Sequence, residues 1–179
     1  MSLISPEYKK LQEDFHVTRA DYGVSSSRHV EPILALAKTL GTRDILDYGC
    51  GKCLLQKGLP FPIQNYDPCM PEYAKRPVPA TVVICTDVLE HIEPECLKEV
   101  MDDLRSLTKE YLFVEVSTKL AVKNLPDGRN AHLIVESANW WLSWLLPRFN
   151  LHSFQIQKHA FTAILSVPTA PTAPEVENA

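Results

Sequence analysis

Asp44-Ile45-Leu46-Asp47-Tyr48 is a short, mostly apolar strand that runs without a linker into Gly49-Cys50-Gly51. Glycines at a strand-to-helix turn let the backbone bend tightly and approach a ligand, at the sheet edge where open α/β folds bind small molecules. Lys52 to Lys57 fits a brief helix that stops at Gly58 and Pro60. Ile63 to Tyr66 reads as a second strand, closing at Asp67-Pro68. Asp67 stands sixteen residues after Gly51, where a carboxylate is placed to accept hydrogen bonds from both hydroxyls of a ribose. A dinucleotide site would want a third glycine, so that a pyrophosphate can rest on the helix amino terminus. Lys52, Cys53 and Leu54 supply none, and Asp47 would repel a pyrophosphate. The same carboxylate suits a cationic ligand that carries an amino group.

Outward from this turn, Thr81 to Cys85 is a continuous apolar run of the kind buried on both faces of a parallel sheet. Upstream, Val30, Ile33, Leu34, Ala37 and Leu40 sit at helical spacing and Gly41 ends the helix. A shorter helix runs from Pro6 to about Phe15, with Ser5 as its cap. Downstream, Pro94 opens a helix whose Leu97, Val100, Met101, Leu104 and Leu107 share one side, and Tyr111 to Val116 is another buried strand. The loop 124–130 leads to a helix capped by Ser137, with Trp140, Trp141, Trp144 and Leu145 on its core face. Two strands, about 151–158 and 161–167, form an antiparallel pair. The order predicts an α/β domain, mostly parallel, with a C-terminal antiparallel hairpin. Residues 1–29 are expected to be a helix and loop that cap the ligand site, 30–167 the binding domain and 168–179 a disordered, Pro/Ala/Thr-rich tail.

A chain of 179 residues is long enough for one domain with a real core. The net charge of −4 offers no overall basic field to draw the chain onto nucleic acid. No run of 18 apolar residues occurs, so a membrane span is not expected, and the amino terminus lacks the apolar stretch of a signal peptide. Cys50, Cys53, Cys69, Cys85 and Cys96 are an odd set, which fits free, buried thiols in a reducing, cytoplasmic setting. Cys50-x-x-Cys53 lacks the second closely spaced pair of a zinc site. Oligomeric state is not legible.

Ile45-Leu46-Asp47-Tyr48-Gly49-Cys50-Gly51 with Asp67, followed by Asp87-Val88-Leu89-Glu90-His91-Ile92, resembles the class I S-adenosylmethionine-dependent methyltransferases, in particular small phage and bacterial methyltransferase-domain proteins. The match spans roughly residues 30–167. The resemblance implies a Rossmann-like sandwich in which Asp47, Tyr48, Gly49, Cys50 and Gly51 line the methionine portion of S-adenosylmethionine. It places Asp67 and Pro68 at the ribose, and Thr86, Asp87 and Val88 at the adenine or the sulfonium. Cys53 stands where the family has a third glycine and is expected to narrow the pocket wall. Family members commonly fit a helix and an edge strand between Asp67 and Val82, but four prolines fill that gap here. The sheet is therefore expected to be truncated at its edge after the second strand.

Methyl transfer from a sulfonium needs alignment and, for hydroxyl or amine acceptors, removal of a proton. Glu90, His91 and His132 are the catalytic candidates. Asp87-x-x-Glu90-His91 with a later His132 is also similar to the E-x-x-E-H…H pattern of the plant small-RNA 2′-O-methyltransferase and of ubiquinone-pathway O-methyltransferases. That similarity implies Asp87, Glu90, His91 and His132 as ligands of a divalent metal, Mg or Mn. The run D/N-P-P-Y/F/W of amino-methylating DNA enzymes is replaced by Thr86-Asp87-Val88-Leu89. The expected acceptor is an O or N atom of a small metabolite or nucleotide. Two alternatives stay open: a metal-assisted enzyme acting on an RNA or DNA end, and a degenerate protein that binds the cofactor without turnover. Lys119, Lys123 and Arg129 aligned in one basic stripe would favour nucleic acid.

Overall fold

The computed structural model describes residues 2–168; the tail expected over 168–179 lies outside the described residues from position 169 onward. Six strands form one sheet: β1 (Ile45–Tyr48), β2 (Gln64–Tyr66), β3 (Ala80–Thr86), β4 (Thr108–Ser117), β5 (Asn150–Ile156) and β6 (Ala160–Ser166). Their order is β2-β1-β3-β4-β6-β5. β1 pairs parallel with β2 and β3, and β3 with β4, whereas β6 runs antiparallel to both β4 and β5. Residues 67–79 make only turns and irregular chain, so β2 is left at the edge as expected.

Alternation along the strands builds three layers. Ile45, Val82, Ile84 and Phe113 pack with Ile33 and Ala37 of α2 (Val30–Leu40) and Leu55 of the short helix Leu54–Gly58. Their sequence neighbours Leu46, Val83, Cys85, Leu112 and Val114 face the other way, onto Leu97, Met101 and Leu104 of the helix Leu97–Leu107 and Trp141 of the helix Ala138–Leu145. Successive side chains leave a strand on opposite faces, so an all-apolar strand covered by helices on both sides is the stable solution. The tryptophans divide accordingly: Trp141 is buried in the core, while Trp140 and Trp144 pack against it only in part.

The first helix, α1 (Pro6–Thr18), runs three residues past its expected end. Ser5 Oγ accepts from the Tyr8 backbone N–H at 3.1 Å, and Ser5 also donates its own N–H and hydroxyl to Glu93 at 2.8 and 2.7 Å. Ser5→Ala removes the cap and one of these ties. It is expected to cost about 1 kcal/mol, read as a lower urea midpoint; an unchanged midpoint would show that α1 does not unfold with the domain. Residues 25–29, within the stretch expected to be loop, form a short 3₁₀ turn. All five cysteines are free and four are buried, as expected.

Candidate functional site

The carboxyl ends of β1, β2 and β3 open into a cleft of about 840 Å³, counting the part open to solvent. Its floor is the turn after β1. Gly49 has φ +79°, and a Cβ there would overlap the Val88 side chain. Gly51 has φ +49°, and a Cβ would lie 2.8 Å from the Gly23 carbonyl oxygen. Glycine is therefore required twice, by the left-handed backbone and by close approach. The segment before α2 docks on this turn: the Lys52 N–H donates to the Gly23 carbonyl at 3.0 Å, and Lys52 Nζ donates to the carbonyls of Arg19 and Ala20. Asp67 ties two turns together, Oδ2 accepting from the Gly51 N–H at 3.1 Å and Oδ1 from the Cys69 N–H at 2.8 Å.

Tyr48 to Gly51, Asp67, Pro68 and Thr86 to Val88 all line this cleft. Asp47 does not. As an in-sheet residue, paired across to Asn65 on one side and Ile84 on the other, it sends its side chain beneath the turn. There Oδ2 has no hydrogen-bond partner, and burial, with Asp67 adding, pushes its carboxyl up to about 7. Cys53 is likewise absent from the lining, so it does not narrow the wall. It takes the left-handed conformation and turns its Sγ to Cys50 Sγ, 3.6 Å away. Pro68-Cys69 is a Pro-Cys dipeptide, the pair that carries the nucleophile in cytosine-C5 methyltransferases. It follows β2 rather than the central strand, and burial pushes the Cys69 thiol far up, which leaves no thiolate for attack.

The amino-terminal segment closes the cleft, and its contributors were missed by sequence reading. Tyr8, Gln12 and His16 of α1 and Tyr22, Gly23 and Ser25 of the loop all line it. Tyr22 OH donates to Gln12 Oε1 (2.9 Å), Gln12 Nε2 to Tyr8 OH (2.6 Å), and Tyr8 OH to the His91 carbonyl (2.8 Å). His16 keeps a buried, partnerless Nδ1, and burial lowers its pKa. A polar Gln12 between Tyr8 and Phe15 on the buried side of α1 was the available signal, because a buried amide must be paired.

Beyond Asp87 a second cleft, of about 1410 Å³ including open solvent, shares Tyr22, Gly23, Ser25, Asp87 and His91 with the first. Asp87 holds φ +60°, a strained backbone conformation, and accepts from Ser25 Oγ at 2.6 Å. Burial raises its carboxyl, but His91, the Ser25 hydroxyl and Arg28 outweigh that and hold it below the usual carboxylate range. His91 Nδ1 lies 2.7 Å from the Ala131 carbonyl and His132 Nδ1 lies 2.6 Å from the Lys119 carbonyl. A carbonyl only accepts, so each Nδ1 carries the proton and each Nε2 keeps a lone pair. Burial lowers His91 to about 4, so it is neutral at pH 7. Asn130 holds the loop in place: Oδ1 accepts from the N–H groups of Ala121 and His132, and Nδ2 donates to the Ala121 carbonyl.

One ligand-capable atom from each of Asp87, His91 and His132 lies within 4.8 Å of the others. Glu90, expected among them, is not. The 3₁₀ turn Leu89–His91 directs it inward, where it is fully buried and Oε1 accepts from the Ser117 N–H at 2.7 Å. Burial, then Asp87, pushes its carboxyl up to about 8. The folded state thus holds a proton that the unfolded chain releases near pH 4.5. The associated stability is complete below that pH and is lost as pH rises through about 8. Glu90→Gln removes this loss, so the Tm of the variant relative to wild type is expected to climb between pH 5 and 8.5. A difference that stays flat with pH would mean that Glu90 is not held neutral.

No protein-family model matches the chain, and no curated protein matches it. Solved structures do. The 1,6-didemethyltoxoflavin-N1-methyltransferase of Burkholderia thailandensis, with its substrate and S-adenosylhomocysteine bound, is 14% identical over 94% of this chain and 93% of that one, with a TM-score of 0.64. The N-methyltransferase NodS of Bradyrhizobium japonicum, in complex with S-adenosylhomocysteine, is 15% identical over 79% and 87%, TM-score 0.57. The magnesium protoporphyrin IX methyltransferase of Synechocystis is 16% identical over 79% and 83%, TM-score 0.56. No helix of the described residues is long and apolar enough to cross a membrane. With its parallel sheet, glycine turn and closing antiparallel pair, the chain has the fold of the class I S-adenosylmethionine-dependent methyltransferases.

Proposed function

We propose that the chain transfers a methyl group from S-adenosylmethionine to an oxygen or nitrogen atom of a small metabolite or nucleotide. The observation that carries this reading is the meeting of two clefts at Asp87 and His91. The first cleft fits the cofactor: the glycine turn forms its floor, and Asp67 and Asp87 line it with carboxylates that suit a sulfonium and an amino group. Asp47, with a buried oxygen still lacking a partner, lies beneath the same turn. S-adenosylmethionine supplies an electrophilic methyl carbon. The chain's own part is to align the acceptor and to take its proton, for which the Nε2 lone pairs of His91 and His132 are available. Free thiols support a cytoplasmic setting.

Calorimetry with S-adenosylhomocysteine tests binding, and transfer of labelled methyl from S-adenosylmethionine tests turnover. Ligand at 100 times its Kd is expected to add about 2.7 kcal/mol of stability. No heat at millimolar ligand would remove the reading; binding without transfer to any acceptor in a metabolite screen would favour the degenerate alternative.

A second reading adds a divalent metal. Both imidazoles commit Nδ1–H to a backbone carbonyl, the arrangement that orients metal-ligating histidines, and a carboxylate stands beside them. Asp87, His91 and His132 would hold Mg or Mn, which would supply Lewis acidity toward an acceptor hydroxyl. Mn²⁺ titrated into the protein should bind, and His132→Ala should abolish that binding; equal binding by the variant would exclude this site. The nucleic-acid acceptor is less well supported. Lys123 pairs with Asp21, and Arg129 pairs with Asp127 and lies over the Tyr8 ring, outside the second cleft.

A further inference from the structure

The second cleft carries cations with hydrogen-bond donors that the described residues leave free. Arg28 lines it with its guanidinium held in place: one terminal nitrogen pairs with Glu115, and Nε donates to His29 Nε2 at 3.2 Å. The other terminal nitrogen has no partner among the described residues, and the side chain is half exposed. Lys119 and Lys158 line the same cleft, and neither has a carboxylate partner among the described residues. Their proximity has a backbone cause. The Thr118 N–H donates to the His159 carbonyl at 2.9 Å, latching the β5–β6 turn onto the end of β4, so Lys119 and Lys158 sit one residue to either side of that bond. The carboxylates of the cleft are already engaged: Asp21 with Lys123, Glu115 with Arg28, and Asp87 with the Ser25 hydroxyl. A protein of net charge −4 thus gathers three cations with spare hydrogen-bonding capacity around one opening.

We propose that the second cleft takes a small molecule bearing a phosphate or carboxylate, with the anion on Arg28, Lys119 and Lys158 and the remainder directed toward His91 and His132. Its identity as the methyl acceptor rests on the methyltransferase reading; the anion site itself does not. Charge-assisted hydrogen bonds give such a site its strength, and spare donors on a fixed guanidinium give it direction. Nucleic acid is disfavoured because three cations at one opening make no track along which several phosphates would lie.

Inorganic pyrophosphate and succinate, each titrated at low salt into the full chain with and without S-adenosylhomocysteine, test this directly. At least one is expected to bind, and whichever binds more tightly identifies the phosphate or the carboxylate. The double variant Lys119→Ala/Lys158→Ala is expected to lose about tenfold or more of that affinity while keeping its affinity for S-adenosylhomocysteine. If neither anion binds, or both bind the variant as well as wild type, the site is overturned. A single-stranded oligonucleotide that binds more tightly than both anions overturns the small-molecule assignment. If S-adenosylhomocysteine fails to bind while the anion binds and the variant loses it, the methyltransferase reading falls and the anion site stands.

Discussion

Gly49→Ala is expected to destabilise the domain by about 2–5 kcal/mol and to abolish S-adenosylhomocysteine binding. The left-handed backbone costs an L-residue about 1–2 kcal/mol, and overpacking against a filled site about 1–3 kcal/mol more. Both apply here, because Gly49 has φ +79° and the added Cβ meets Val88. Val88 cannot retreat easily, since it packs against the core that contains Tyr48 and Leu89. Gly128→Ala is the control: its φ is +90° but nothing lies within 4 Å of its Cβ, so it meets only the backbone cost. Urea denaturation of the two variants separates the terms. Equal losses would mean that Val88 yields without cost and that the glycine is kept for its dihedrals alone.

Asp67→Ala should weaken S-adenosylhomocysteine binding by about 1.5–3 kcal/mol, roughly 10- to 150-fold, with most of the fold's stability retained. Two causes act together. The carboxylate that faces the cleft is lost as an acceptor for ribose hydroxyls, and the N–H groups of Gly51 and Cys69 lose the oxygens that hold both turns. Asp67→Asn keeps one acceptor oxygen and is expected to fall between the two. A Tm close to wild type in the free protein, together with the loss in calorimetric affinity, would place the effect at the site. Unchanged affinity would mean that another group holds the ribose.

Local chain chemistry made most of the fold legible. The helix Val30–Leu40 with Gly41 at its end, the caps Ser5 and Ser137, and the strand around Val82–Cys85 follow from periodicity and punctuation that act over a few residues. The four prolines after Asp67 likewise announced the missing edge strand, because proline lacks the N–H that a helix interior or ladder needs. The glycine turn and Asp67 were readable for the same reason: positive φ and a strand-end carboxylate are properties of one short segment.

What sequence spacing could not supply was direction across the chain. Asp47, Glu90 and Cys53 sit beside residues that face the cleft, yet each side chain turns away, because strand alternation at Asp47, a 3₁₀ turn at Glu90 and a left-handed backbone at Cys53 fix orientation residue by residue. His16, Tyr22 and Ser25 come from the amino-terminal segment, 26 or more positions before Gly51, and reach the site only because α1 and its loop dock on the turn. The tautomers of His91 and His132 depend on carbonyls 40 and 13 residues away. By itself the sequence determined the strands, helices and glycine turn, since these answer to neighbours a few residues apart. Only the tertiary structure decided which polar side chains share a cleft, because that depends on where separate elements bury their apolar faces and on the carbonyls and carboxylates they bring with them.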